Sequence, residues 1–359
     1  MPEPRNLFDP AVRDDPYPFY AALRTTSPAC VVDPLGAWLV TTYDEVVEVL
    51  RQPELYSSSA MRAAMSRGRL DDDEGPPTMV ISTDPPEHTR LRTLVNRGFT
   101  PRRIQRVEPL VRRITKDLVA EIDRRGECEL VGDLTVPLPV MVISELLGIE
   151  PERFEDFKRW SQVIVSVFGR LPAPEQLTTF HSTLDELDDY LEPLIERRRK
   201  DPRDDIISIL TQKEEEDALN EDELIGFVVL LLIAGNETTT NLIGNTILAL
   251  WDNPTQLALL NRSPELIPAA VEEGLRFTSP VQLLFRQTTR DVELGGEKIP
   301  EGAIVMPCFA AANRDSKRSG SSNRFGSRLA AAKHGITMAP SGIFSPPSST
   351  SRVVCRNSS

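Results

Sequence analysis

From Asp84 onward the apolar residues recur every three or four positions, the period of a helix with one buried face. The pattern predicts helices over residues 101–125, 136–147, 151–167, 178–200, 204–214, 221–252 and 264–276. Asp84-Pro85-Pro86-Glu87 reads as a helix start, with Asp84 as cap, Pro85 at the first helical position and Glu87 completing a capping box. Nearer the N-terminus the pattern is mixed. Residues 9–26 read as a proline-rich lead into a short helix, residues 37–42 as a strand and residues 43–50 as a helix with an apolar face. Residues 57–77 are polar and read as a loop. Between Arg286 and Met306 the chain reads as short strands: Val292–Leu294, a Gly295-Gly296 turn, then residues 298–306. The patterned region, residues 1–315, is therefore mainly α with small β-sheets (α+β), long enough for one large domain or two ordinary ones. After Asp315 periodicity of either kind stops. Residues 316–359 are rich in Ser, Gly and Arg, and their composition predicts a disordered tail.

Composition narrows the partners. The chain has 359 residues, 40% of them hydrophobic, which suffices for a sizeable core. Its net charge of -13 repels phosphate backbones and argues against nucleic acid and anionic membranes. The first ten residues carry acidic side chains and no apolar core, so no secretory leader is expected. The longest apolar run, Phe227–Ala234, is too short to span a bilayer, and a cytoplasmic location is expected. Cys30, Cys128, Cys308 and Cys355 are scattered and form no CxxC pair, which fits a reduced compartment.

Four constellations carry candidate chemistry. The long helix over 221–252 holds Ala234-Gly235-Asn236-Glu237-Thr238-Thr239-Thr240 at its middle, and glycine with a run of threonines is poor helix material. Such a break often marks function. Glycine lets a ligand approach the backbone, and a threonine hydroxyl bonded to its own helix opens a groove. Glu237 and Thr238 then form an acid-alcohol pair able to pass protons. The plainer reading is a buried helix crossing with small residues. Glu273 and Arg276 share a helix face and can pair, as many exposed residues do. His88 and Arg92, four apart, make a site for an anionic group, Arg92 in bidentate fashion; the plainer reading is a solvated basic face. Arg286 at a strand start offers a second anion contact. Acidic clusters at Asp71-Asp72-Asp73-Glu74 and Asp185-Glu186-Leu187-Asp188-Asp189 raise the Mg²⁺-diphosphate chemistry of terpene synthases, against the plainer reading of a solvated acidic face.

Taken in order, these segments resemble the soluble bacterial cytochromes P450. Asp84 to Arg92 is similar to that family's haem-propionate helix, and Ala234 to Thr239 to its oxygen-activating motif. Glu273 to Arg276 matches its ExxR pair, and Ala311-Ala312-Asn313-Arg314-Asp315 resembles the start of its haem-proximal region. The resemblance implies a single cytochrome P450 domain over residues 1–315 holding haem b, and a monooxygenase inserting one atom of O₂ into a small hydrophobic substrate. It also implies electrons from a ferredoxin-type partner. Within it, Thr238 and Glu237 are catalytic. His88, Arg92 and Arg286 bind the propionates, Ala234 and Gly235 line the cofactor, and Glu273–Arg276 shapes the pocket. Segments around residues 61–69, 163–171 and 281–284 would line an apolar substrate pocket.

The sequence departs from the family at one place. The haem thiolate comes from a loop of the form Phe-x-x-Gly-x-x-x-Cys-x-Gly, which this chain does not contain. The match fails abruptly at Ser316, as a frameshift or truncation would make it fail. Two expectations therefore stand: a P450 monooxygenase whose proximal part is incomplete as written, and a catalytically inactive P450-like remnant. An incomplete proximal part predicts bare apolar surface near residues 230–233 and a chain prone to aggregation.

Overall fold

The computed structural model describes residues 6–61, 78–166, 173–211, 218–315 and 354–356. The chain divides into two compact units, one of residues 1–61 with 241–351, the other of residues 62–240 with 352–359. The tail expected to be disordered lies, except for 354–356, outside the described residues.

The first unit opens with α1 (Pro10–Asp14) and α2 (Pro16–Thr26). Each starts behind an aspartate: Asp9 accepts from the Ala11 amide at 2.8 Å and Asp15 from the Tyr17 amide at 3.2 Å. The prolines that follow sit in the first turn, where a missing N–H costs nothing. Strands β1 (Ala29–Val32) and β2 (Ala37–Val40) form an antiparallel hairpin with Ala29 opposite Val40, and α3 (Tyr43–Arg51) and β3 (Tyr56–Ser57) follow.

The second unit is helical: α4 (Glu87–Asn96), α5 (Pro101–Arg125), the short strand β4 (Glu127–Glu129), a π-helical segment Val131–Thr135, α6 (Pro137–Leu147), α7 (Phe154–Ser166), α8 (Pro174–Lys200) and α9 (Ile206–Thr211). The run Glu221–Trp251 comprises α10 (Glu221–Leu232), a π turn (Ile233–Glu237) and α11 (Thr238–Trp251). A capping box starts α10, with Asn220 Oδ1 accepting from the Glu223 amide at 2.9 Å and Glu223 Oε2 from the Asn220 amide at 3.0 Å. By length and hydropathy this run is apolar enough to cross a membrane, but half of its most apolar window is buried within the protein. That is the property of a core helix. Its partners in the core include Phe157, Trp160 and Ile164 of α7 and Leu187, Leu191 and Leu194 of α8.

The chain re-enters the first unit at Asn241, within α11, and continues with α12 (Pro254–Arg262), α13 (Ile267–Phe277), β5 (Arg286–Thr288), β6 (Val292–Leu294), β7 (Glu297–Ile299), β8 (Ile304–Pro307) and α14 (Phe309–Ala312). One five-stranded sheet has the order β1-β2-β8-β5-β3, with β2 and β8 parallel, and β6–β7 is a separate hairpin. In the second unit β9 (Val354–Arg356) pairs antiparallel with β4.

The architecture is the expected mainly α fold with small sheets. Four details differ. The helix after Asp84 begins at Glu87, with Pro86 at the cap position and no side-chain cap; the two consecutive prolines displace the start past Asp84. The expected strand 298–306 is two strands, because the chain turns at Gly302, whose φ of 76° is left-handed. Helix α12 and strand β1 were not expected: at nine and four residues they are too short for a period to show. The surface near residues 230–233 is not bare: Leu232 is buried, and Leu230, Leu231 and Ile233 pack against the core. The large apolar side chains exposed in this part of the chain are instead Ile247 and Trp251 on α11 and Ile267 and Val271 on α13.

Candidate functional site

The sequence that breaks helix rules does break the helix. Over Ile233–Glu237 the α-helical ladder widens into a π turn, a feature frequent at functional sites. Thr238 Oγ1 donates to the Ala234 carbonyl at 2.5 Å, the back-bond expected to open a groove. Ala234 is exposed, and Glu237 and Thr238 are half-buried. Burial pushes the Glu237 carboxyl above the usual carboxylate range. A carboxyl raised in this way gives and takes protons more readily near neutral pH than an exposed one does. Gly235 serves a close approach, but to protein: a Cβ there would stand 2.8 Å from Ile143 Cδ1, so α6 fills the room expected for a ligand.

Two polar side chains of this segment, not singled out in the sequence, tie the turn down. Asn236 Nδ2 donates to Ser161 Oγ on α7 at 2.6 Å. Thr240 Oγ1 donates to the Thr135 carbonyl at 2.7 Å and approaches Asn236 Oδ1 at 3.3 Å. Both residues are buried.

On α4, His88 is half-buried and Arg92 exposed, one turn apart. Arg90 between them is fixed. It makes a two-pronged ion pair with the capping-box residue Glu223, whose side chain is 6% exposed. Neither this capping box nor its arginine partner was singled out in the sequence. A groove of about 700 Å³ follows α4, lined by Pro85, Pro86, Thr89, Arg90, Thr93, Leu94 and Arg97, and neither His88 nor Arg92 is among these.

The first unit contributes the other candidates. Arg276 grips Glu273 with two bonds, Nε to Oε2 and Nη2 to Oε1, both 2.6 Å, and the two side chains are 14% and 4% exposed. The pair is buried, not surface decoration. Nearby, the Arg314 guanidinium lies 3.3 Å over the Tyr17 ring centroid and 4.5 Å from that of Phe277, and donates to the Phe277 carbonyl. Arg286 opens β5, half-buried, with Nη1 donating to the Phe285 carbonyl at 2.9 Å. Of the substrate-pocket segments, 62–69 and 167–171 lie outside the described residues, and 281–284 are half-buried.

The described acidic cluster, residues 185–189, does not make a metal site. Asp71 to Glu74 lie outside the described residues, and Glu186 is taken by Arg159 at 2.5 Å and 3.0 Å. Among the described residues no group of three or more His, Cys, Asp or Glu side chains is placed to hold a metal ion.

The comparisons with known proteins agree with one another. The model of the family described as cytochrome P450 matches residues 30–262 and 263–318. The chain belongs to the cytochrome P450 family. It is 40% identical over 329 residues to cytochrome P450 107B1 of Saccharopolyspora erythraea, covering 89% of this chain and 80% of the relative. It is 42% identical over 320 residues to the vitamin D(3) 25-hydroxylase of Pseudonocardia autotrophica, covering 88% and 77%. Among solved structures, cytochrome P450 CYP109Q5 from Chondromyces apiculatus superposes with a TM-score of 0.80 at 41% identity, covering 87% of this chain and 78% of that one. The terpene-synthase reading is thereby replaced. The family is one of haem-dependent monooxygenases, and haem is its cofactor.

The residues fit that cofactor unevenly. The wide turn, the acid-alcohol pair and the cationic side chains suit the oxygen side and the carboxylates of a haem. The described cysteines do not suit its iron. Cys308 is fully buried, and its thiol is pushed up to about 12, so it stays protonated at neutral pH. Cys30 is buried against the Ser27 carbonyl, and Cys128 lies within β4.

Proposed function

We propose that the wide turn of the central helix is the proton-delivering face of a haem monooxygenase site for a small hydrophobic substrate. The observation carrying this is the π turn in which Thr238 bonds back to Ala234 beside a half-buried Glu237 of raised pKa. When bound, haem supplies the activation of O₂. Insertion of one oxygen atom releases the other as water, and that water needs two protons. Glu237, whose neutral form burial favours, gives a proton to the Thr238 oxygen as the hydroxyl releases its own from the Ala234 carbonyl and passes it onward. The back-bond to Ala234 holds that hydroxyl on the open side of the turn. His88, Arg92 and Arg286 each offer N–H donors to a propionate carboxylate. Electrons come from a ferredoxin-type partner in the cytoplasm. The relative named as a vitamin D(3) 25-hydroxylase supports an apolar, poorly water-soluble substrate.

The test is the ferrous carbon monoxide spectrum of the haem-loaded chain, followed by turnover with a ferredoxin and its reductase. A thiolate-type red-shifted band, with Thr238→Ala yielding less product per electron consumed at equal haem content, carries the reading. An imidazole-type or free-haem spectrum overturns it for the chain as written and leaves the inactive P450-like form.

A further inference from the structure

We propose that Asn236 is a positioning residue: through Ser161 it holds the π turn in its wide register and so sets where Glu237 and Thr238 point. The proposal rests on the proton-delivery reading of that pair, and it stands on geometry that reading does not use.

A π turn accommodates one residue more than an α turn. Closing it back to α register would rotate every following side chain by about 100° relative to the preceding helix. Because the wide form is intrinsically the poorer one, something outside the helix must favour it. Asn236 is the only buried residue of the turn, at 5% exposure. A buried primary amide needs partners, and this one has them on both ends. Its Nδ2 donates to Ser161 Oγ at 2.6 Å, and its Oδ1 lies 3.3 Å from Thr240 Oγ1. Ser161 is itself 0% exposed, set between Trp160 and Ile164 on the buried face of α7, so it is a fixed anchor. Thr240 is fixed in turn by the Thr135 carbonyl at 2.7 Å. Gly235 adds a steric tie, since it has no Cβ where Ile143 of α6 closes in.

The functional pair has no such ties. Among the described residues the Glu237 carboxylate makes no hydrogen bond or ion pair, and the Thr238 hydroxyl bonds only to its own helix. Their direction is inherited from the residue before them. Loss of the Asn236–Ser161 bond lets the turn relax, and the pair turns with it.

The test needs no haem, so its failure is separate from failure of the function reading. Asn236→Leu, Ser161→Ala and the double variant are compared with the parent chain by amide hydrogen exchange, read in peptides covering residues 233–240 and in peptides from α8. Each single change is expected to speed exchange in 233–240 at least tenfold, with α8 within twofold. The double variant should be no faster than the faster single, because both remove the same bond. The ¹³C-carboxyl titration of Glu237 should also move down toward the ordinary glutamate range as the side chain swings to solvent. A merely structural role lowers the melting temperature and shifts neither local readout. Unchanged exchange in 233–240, an equal rise in α8, or additive effects in the double variant overturns the proposal. By contrast, Thr238→Ala without effect on product yield removes the proton-delivery reading and leaves the tie itself intact.

Discussion

The Glu273–Arg276 pair decides whether the first unit uses these charges as a structural lock. Replace Arg276 by Leu. Glu273, 4% exposed, then keeps a carboxylate in a site that water barely reaches, with both of its 2.6 Å bonds gone. Removing one partner of a buried ion pair costs about 3–5 kcal/mol, since the loss is dominated by the stranded charge. Replacing both, as Glu273→Leu with Arg276→Leu, strands nothing and should cost roughly 1 kcal/mol or less. The double variant should then be about 2–4 kcal/mol more stable than Arg276→Leu alone, a departure from additivity that distant sites do not show. Urea unfolding followed by far-ultraviolet circular dichroism measures it, with the slope checked for constancy so that midpoints can be compared. An exposed pair would give a coupling of about 0.2–1 kcal/mol. If Arg276→Leu costs less than about 1 kcal/mol, or if the double variant is as unstable as the sum of the singles, the pair is not the buried lock its geometry indicates.

Three further outcomes follow from single groups. Burial raises the Glu237 carboxyl, so its neutral form favours folding: that contribution is present at acid pH and is lost as pH rises through the folded pKa. Glu237→Gln should therefore match the parent below about pH 4 and become progressively more stable than it above, as midpoints from pH 4 to 8 would show; a flat difference refutes the burial argument. Among the described residues the buried Thr135 hydroxyl finds no hydrogen-bond partner while its carbonyl holds Thr240, so Thr135→Val should be neutral or stabilising by about 1 kcal/mol in the same urea assay, with exchange in 233–240 unchanged. Cys308 should resist alkylation by iodoacetamide in the native chain at pH 8 and react fully in urea, because its thiol is both buried and pushed up to about 12; rapid native labelling would mean that β8 and α14 open more easily than the structure indicates.

What could be read from the sequence was chemistry carried by neighbouring residues. The run Ala234 to Thr240 announced itself because glycine and threonine stand where a core helix has no local reason to hold them, and the structure puts a π turn there. Glu273–Arg276 was legible as a three-residue spacing, although its burial was not, since spacing is the same on an exposed helix and a buried one. The partners that fix these groups come from elsewhere in the chain. Ser161 is 75 residues from Asn236, and Arg90 is 133 from Glu223. No local pattern marks either pairing, because a serine on α7 and an arginine on α4 are ordinary helix residues until the fold brings them to a buried acceptor or acid. The same holds for Cys308. Its sequence setting says only that it is a cysteine beside a strand, and it is packing that keeps it a protonated thiol. Reactive residues break local rules and so are visible early; the residues that aim them obey local rules, and only tertiary contacts reveal them. Asn236 sits between the two classes. It lies inside the most visible motif of the chain, yet its partner lies outside it, and that bond makes it a candidate for aiming the motif as well as belonging to it.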